Sequence, residues 1–175
     1  MSDPANCAPH LFAITRRLEF DAGHRIPDHR SRCRYVHGHR YVLELTLVGE
    51  LDPTPGSPER GMVMDFGEVK AVAMELIDQW DHALLAWRHD PVAQAIAAAM
   101  PEHRTVWLEE VPTVENLARI AFLTLAPRFA HRYGRQLQLA RVRLYETPNC
   151  WADYPVCYQE SARRCAHFSS CPDAS

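Results

Sequence analysis

The sequence predicts a single α+β domain, an antiparallel four-stranded sheet with helices on one face. Three observations carry that expectation. Side-chain character alternates with a period of two along residues 11–24 and 40–51, as in half-buried strands. Apolar residues then recur at helical spacing behind capping residues at Asp65 and Thr113, and alternation returns along 137–146. The 175 residues are 47% hydrophobic and 23% charged, enough to bury a core and too apolar for disorder.

The elements follow in order. Residues 1–10, with Pro4 and Pro9, read as a mobile arm. Phe12, Ile14, Leu18, Phe20 and Ala22 share one parity and define a strand over about 11–24, with His24 on the same face. Ile26 to Tyr35 carries Pro27, Asp28 and several arginines and is a loop. A second strand spans Arg40 to Leu51, with Tyr41, Leu43, Leu45 and Leu47 on one face, and the proline-rich Pro53–Gly61 turn ends it.

Asp65 and Glu68 resemble a capping box, and Val69, Val72, Ala73, Leu76, Ile77 and Trp80 form the apolar stripe of a helix ending near Asp81–His82. Asp90–Pro91 starts a short Ala-rich helix that Pro101 stops. Thr113 caps a longer helix with Val114, Leu117, Ala118, Ala121 and Leu125 on one face; Pro127 should kink or end it, and Gly134 is its outer limit. Leu137–Glu146 and Cys150–Tyr158 complete the sheet, and residues 159–175 form a cysteine-containing tail.

Charge and composition exclude several functions. The net charge of −3 (19 Lys plus Arg against 22 Asp plus Glu) and the scattered arginines leave no footprint for nucleic acid. No apolar run approaches the roughly 18 residues of a membrane span, and Met1–His10 lacks the features of a signal peptide, so a cytoplasmic protein is expected. Six cysteines are too few for a disulfide scaffold. Four of them (Cys150, Cys157, Cys165, Cys171) crowd the end of the chain, without the Cys-x-x-Cys knuckles of a structural metal site.

The chemistry concentrates in Cys33-x-x-x-His37-Gly38-His39 and in His24. On an extended strand His37 and His39 point the same way, and antiparallel pairing of the first two strands brings His24 to the same end of the sheet. Three neutral imidazoles with one open position form a catalytic zinc arrangement. Cys33 is either a thiol activated near the metal or a fourth ligand that closes the site. Asp81–His82 offers an imidazole whose charge an aspartate sets, or simply a helix C-terminus. Glu146 is a carboxylate on an otherwise apolar strand face, suited to a planar group with two N–H donors unless it is a frayed strand end. Glu115 lies in a helix first turn, where an acid commonly faces the dipole.

Taken in order, Phe20-Asp21-Ala22-Gly23-His24, Cys33-x-x-x-His37-Gly38-His39, Gly61–Phe66, Asp81-His82-Ala83-Leu84-Leu85, Pro112-Thr113-Val114-Glu115-Asn116 and Tyr145-Glu146-Thr147 resemble the 6-pyruvoyltetrahydropterin and 6-carboxytetrahydropterin synthase family. The resemblance covers about residues 11 to 158 and implies the tunnelling fold (T-fold), assembled as trimers or hexamers. It implies Zn2+ on His24, His37 and His39, with Cys33, Asp81 and His82 as catalytic residues. Glu146 would anchor the pterin, with Thr113 and Glu115 in the segment lining the same pocket. The implied substrate is 7,8-dihydroneopterin triphosphate. The three-residue spacer between Cys33 and His37 resembles the branch that forms 6-carboxy-5,6,7,8-tetrahydropterin for queuosine synthesis. Gly23 stands where the family more often has alanine, a change expected to leave ligation intact.

Overall fold

The computed structural model describes residues 10–134 and 137–156. Residues 1–9 of the expected arm (1–10), and residues 157–175, which include the expected tail (159–175) and Cys157, Cys165 and Cys171, lie outside the described residues. Strand β1 (Phe12–His24) pairs antiparallel with β2 (His37–Gly49), and a one-turn 3-10 helix at Arg32–Arg34 interrupts the loop between them. Then follow α1 (Phe66–Trp80), β3 (Ala83–Trp87), α2 (Pro91–Ala99), β4 (Thr105–Leu108), α3 (Val114–Tyr133), β5 (Leu137–Thr147) and β6 (Cys150–Tyr154).

The sheet has six strands in the order β4-β3-β1-β2-β5-β6. The expected four-stranded antiparallel unit is present as β1, β2, β5 and β6. The correction is at its edge, where β3 joins β1 in parallel and β4 joins β3 in parallel, making the sheet mixed. The physical reason lies in the pattern: Ala83–Trp87 is apolar throughout and buried at all but its last position, so it lacks the alternation that marks a half-buried strand. Strand β4 has only four residues.

Strands β1, β2 and β5 bury one parity against the helices. Leu18, Phe20 and Ala22 of β1, Tyr41, Leu43, Leu45 and Leu47 of β2, and Val142 and Leu144 of β5 form one cluster with the apolar stripes of α1 and α3. A fully buried Leu or Phe contributes about 1.5–3 kcal/mol, so this face fixes the strand register: a one-residue slip would turn the whole set to solvent. Asp65 caps α1 through Gly67 N. Its expected partner Glu68 turns elsewhere, accepting from Arg132 Nη2 and Tyr133 Oη on α3 at 2.8 Å each. Pro127 does not end α3, because Leu125 and Phe129 on either side of it are fully buried and hold the helix in place. It stops at Gly134, whose φ of 68° is open to glycine at no steric cost.

Candidate metal centre and active site

The β1–β2 register brings the three histidines together. His24, the last residue of β1, faces His37, the first of β2, and His39 stands opposite Ala22. Their ring centroids are 4.5 to 5.1 Å apart, and one ligand atom from each lies within 4.8 Å of the others. Gly38 permits this approach, since a Cβ there would stand 3.1 Å from Ala22 O. The core tyrosine Tyr41 packs edge-on against His24 and His39, extending the apolar stripe of β2 to the site.

Main-chain carbonyls orient two of the rings. His24 Nδ1 donates to Pro112 O and His37 Nδ1 donates to Tyr35 O, each at 2.8 Å. A carbonyl only accepts, so Nδ1 carries a proton, and in the neutral ring Nε2 keeps its lone pair. His24 Nε2 and His39 Nε2 are buried and make no hydrogen bond. Burial pushes the His24 imidazolium down to about 4, against the Pro112 carbonyl and aided by His37 and His39. Burial likewise lowers His39. Burial thus favours the neutral form of His24 and His39 and leaves their Nε2 atoms free, as in the donor set of a divalent cation.

Glu146 belongs to the same cluster: its Oε1 lies 3.3 Å from His24 Nε2 and 3.8 Å from His39 Nε2. A carboxylate facing two imidazole lone pairs is repelled unless a cation or proton lies between them, which is a second indication that the donors suit a metal. Glu146 also lines a cleft of about 660 Å³ with Arg17, Glu19, Tyr145 and Thr147.

Asp81 and His82 sit between α1 and β3. Asp81 Oδ2 meets His82 Nδ1 at 2.9 Å, and its Oδ1 accepts from Asp21 N at 2.9 Å. That amide, with a lesser effect from His82, holds the Asp81 carboxyl below the usual range. His82 has a left-handed backbone with φ of 55°, and its N–H donates to Asp21 O. A left-handed non-glycine residue held by its neighbours is a strained position of the kind that gathers at functional sites. The His82 ring is exposed and lines a second cleft, about 590 Å³, with Asp21, Gly38, His39, Arg40 and His103. His39 borders both clefts.

Cys33 is half-buried in the 3-10 turn, and its carbonyl accepts from Ile26 N at 2.8 Å. Its sulfur is outside the set of ligand atoms formed by the three histidines, and Cys33 lines neither cleft. The structure therefore does not bring Cys33 together with His82 or with Glu146 within one chain. Thr113 caps α3 by accepting from Asn116 N at 3.3 Å, and Glu115 is exposed in its first turn. Neither lines the clefts; their segment reaches the histidines through the Pro112 carbonyl. Sequence reasoning missed that carbonyl, the Asp21 main chain behind Asp81 and His82, and an ion pair between Arg25 and Asp90. Of these only Asp90–Pro91 had a sequence signal, as a helix start.

Fold and site together define an α+β protein with a group of three histidines suited to a metal ion at the end of a strand pair. A family profile described as 6-pyruvoyl tetrahydropterin synthase matches residues 13–156, and the chain belongs to this family of pterin enzymes. A 6-carboxy-5,6,7,8-tetrahydropterin synthase of Rickettsia bellii is 36% identical over 144 residues, covering 82% of this chain and 99% of that protein. A protein of the same name from Haemophilus influenzae is 28% identical over 147 residues, with coverage of 82% and 99%. The structure of Caenorhabditis elegans 6-pyruvoyl tetrahydropterin synthase matches with a TM-score of 0.59 at 24% identity, over 85% of this chain and 98% of that one. That likeness establishes the tunnelling fold. Among the described residues, no helix is long and apolar enough to cross a membrane.

Proposed function

We propose that the chain is a zinc-dependent 6-carboxy-5,6,7,8-tetrahydropterin synthase, a lyase that converts 7,8-dihydroneopterin triphosphate to the 6-carboxy product with release of acetaldehyde and triphosphate. The observation that carries the proposal is the cluster of His24, His37 and His39, in which the buried Nε2 atoms of His24 and His39 make no hydrogen bond. The relatives' shared name supports the product. When bound, zinc supplies Lewis acidity toward the side-chain hydroxyls of the substrate.

The chain's own residues supply binding and proton transfer. Glu146, on the edge of its cleft, accepts the 2-amino and N3 hydrogens of the pterin ring, and Thr113 and Glu115 are assigned to the same substrate from the family motif alone. Cys33 is the base, and His82, oriented by Asp81, carries the second proton. Among the arginines around the β1–β2 loop, Arg25 is engaged with Asp90, whereas Arg30, Arg32 and Arg34 are exposed and available to meet the triphosphate. Trimers or hexamers of the chain would cover the free sheet edges at β4 and β6. The place of the reaction is queuosine synthesis in the cytoplasm.

The test is incubation of the zinc-loaded protein with 7,8-dihydroneopterin triphosphate, with acetaldehyde and the pterin product measured by mass. Acetaldehyde with 6-carboxytetrahydropterin is the expected result. A 6-pyruvoyl product without acetaldehyde would place the chain in the other branch. No reaction would leave a zinc-stabilised assembly module.

A further inference from the structure

We propose that Arg25 and Asp90 form a positioning clamp for the Cys33 turn, tying it both to the metal ligand His24 and to the wall of the His82 cleft. Arg25 follows His24 directly, and its guanidinium bridges two elements. Nε donates to Arg34 O at 2.8 Å, and Nη1 meets Asp90 Oδ1 at 2.5 Å. The next residue repeats the grip, as Ile26 N donates to Cys33 O at 2.8 Å. Consecutive residues after the ligand thus hold the consecutive carbonyls of Cys33 and Arg34. A loop of this length has no strand ladder of its own, so these two bonds fix where the thiol stands relative to His24.

The far end of the clamp is rigid. Asp90 is 1% exposed and caps α2, its Oδ1 also accepting from Val92 N at 3.0 Å. Its Oδ2 is buried and makes no hydrogen bond, so the Arg25 charge is what compensates the carboxylate. The helix it caps supplies Ile96, and Met100 follows at its C-cap; both line the cleft that holds His82. One planar group therefore sets the Cys33 turn against both the metal ligand and the His82 wall. Lysine cannot replace it, because a single ammonium does not span the Arg34 carbonyl and the Asp90 carboxylate in one fixed plane.

The inference rests on the reading of Cys33 as the reacting thiol, and its test separates the two. Arg25→Lys keeps the charge beside the ligands, and Asp90→Asn keeps the cap of α2. In each zinc-loaded full-length variant, iodoacetamide labelling of Cys33 is followed on its own peptide by mass spectrometry, with exposed Cys150 as internal reference. The expected result is at least a roughly fivefold faster reaction at Cys33 and no change at Cys150, as a loosened loop requires. With 7,8-dihydroneopterin triphosphate, kcat should fall about 10- to 100-fold while KM stays within about threefold and zinc content is unchanged. An unaltered Cys33 labelling ratio with wild-type kcat in Arg25→Lys overturns the clamp. So does a kcat loss that tracks loss of zinc. A Cys33→Ala variant with full turnover overturns instead the catalytic reading and the expected kcat loss, while the labelling change needs no turnover and still decides the clamp.

Discussion

Gly38 and Gly23 face each other across β1 and β2, yet a methyl group should act oppositely at the two positions. At Gly38 it would meet Ala22 O at 3.1 Å, Ala22 C at 3.7 Å and Gly23 Cα at 3.7 Å. All three are main-chain atoms, so no side chain can swing aside and the strands themselves must part. At Gly23 the nearest atoms are His37 O at 3.5 Å and Leu84 Cδ1 at 3.7 Å, which is ordinary contact. Replacing a strand glycine by alanine gains about 0.5–1 kcal/mol of backbone entropy, and overpacking costs about 1–3 kcal/mol. Gly38→Ala should therefore destabilise by about 1 kcal/mol net, or ~2–4 °C in Tm, whereas Gly23→Ala should stabilise by about 0.5 kcal/mol. The strain at Gly38 falls between His37 and His39, so zinc affinity should also weaken, by roughly tenfold. Scanning calorimetry with and without zinc, and zinc competition against a chromophoric chelator, measure both effects. If Gly38→Ala melts as high and binds zinc as tightly as Gly23→Ala, the close approach does not govern the site and the reasoning is refuted.

Other perturbations bear on neighbouring parts of the structure. Cys33→Ala should retain its zinc and lose turnover by about 100- to 10,000-fold, the range for a proton-transfer group; reduced zinc content with turnover intact would make the thiol a ligand instead. His24→Ala should bind no stoichiometric zinc by elemental analysis and should also leave the Pro112 carbonyl without its donor, a cost of about 1–3 kcal/mol readable in urea unfolding. Chelation of zinc from the wild type should lower Tm, since a ligand at 100 times its Kd contributes about 2.7 kcal/mol. Asp153 accepts from Arg143 Nε at 2.7 Å and Nη2 at 2.8 Å, and this pairing holds its carboxyl below the usual range. A lowered carboxyl stabilises the fold above its unfolded pKa and loses that contribution as pH falls through the folded value. Urea midpoints should thus fall more steeply with acid for the wild type than for Asp153→Asn, and parallel slopes would show the pair to be inert.

The parts of the fold that were legible are those whose burial is one-sided. Along β1, β2 and β5, and on α1 and α3, one face meets the core and the other meets water, so the apolar pattern carries the period of the element. Strand β3 lies between β1 and β4 and is buried on both faces, which erases the period and leaves an apolar run without direction. Pro127 left the helix end open for a related reason: the local rule allows a kink or an end there, and the packing of Leu125 and Phe129 carries α3 on to Gly134, its expected outer limit. Glu68 shows the same override on a smaller scale, leaving its capping position for a cation and a hydroxyl on another helix.

The site divides along a different line. Its donor side chains were legible because donors are residue types, and because His37, His39 and His24 are related by strand parity and by a hairpin, both of which are local. The groups that orient them are main-chain atoms: Pro112 O for His24, Tyr35 O for His37, Asp21 N for Asp81 and Asp21 O for the His82 amide. A carbonyl has no residue type, so no motif records it, and Pro112 reaches His24 from 88 residues away only because α3 begins beside the end of β1. The same reasoning explains why Cys33 and His82 can be named together from sequence and yet not be found side by side in one chain: a motif specifies which groups act, and only the assembled backbone specifies where they stand. The Arg25–Asp90 pair is the exception that joins the two descriptions, a side-chain contact that fixes main-chain position, and it is where a conservative substitution should separate the chemistry of the site from its geometry.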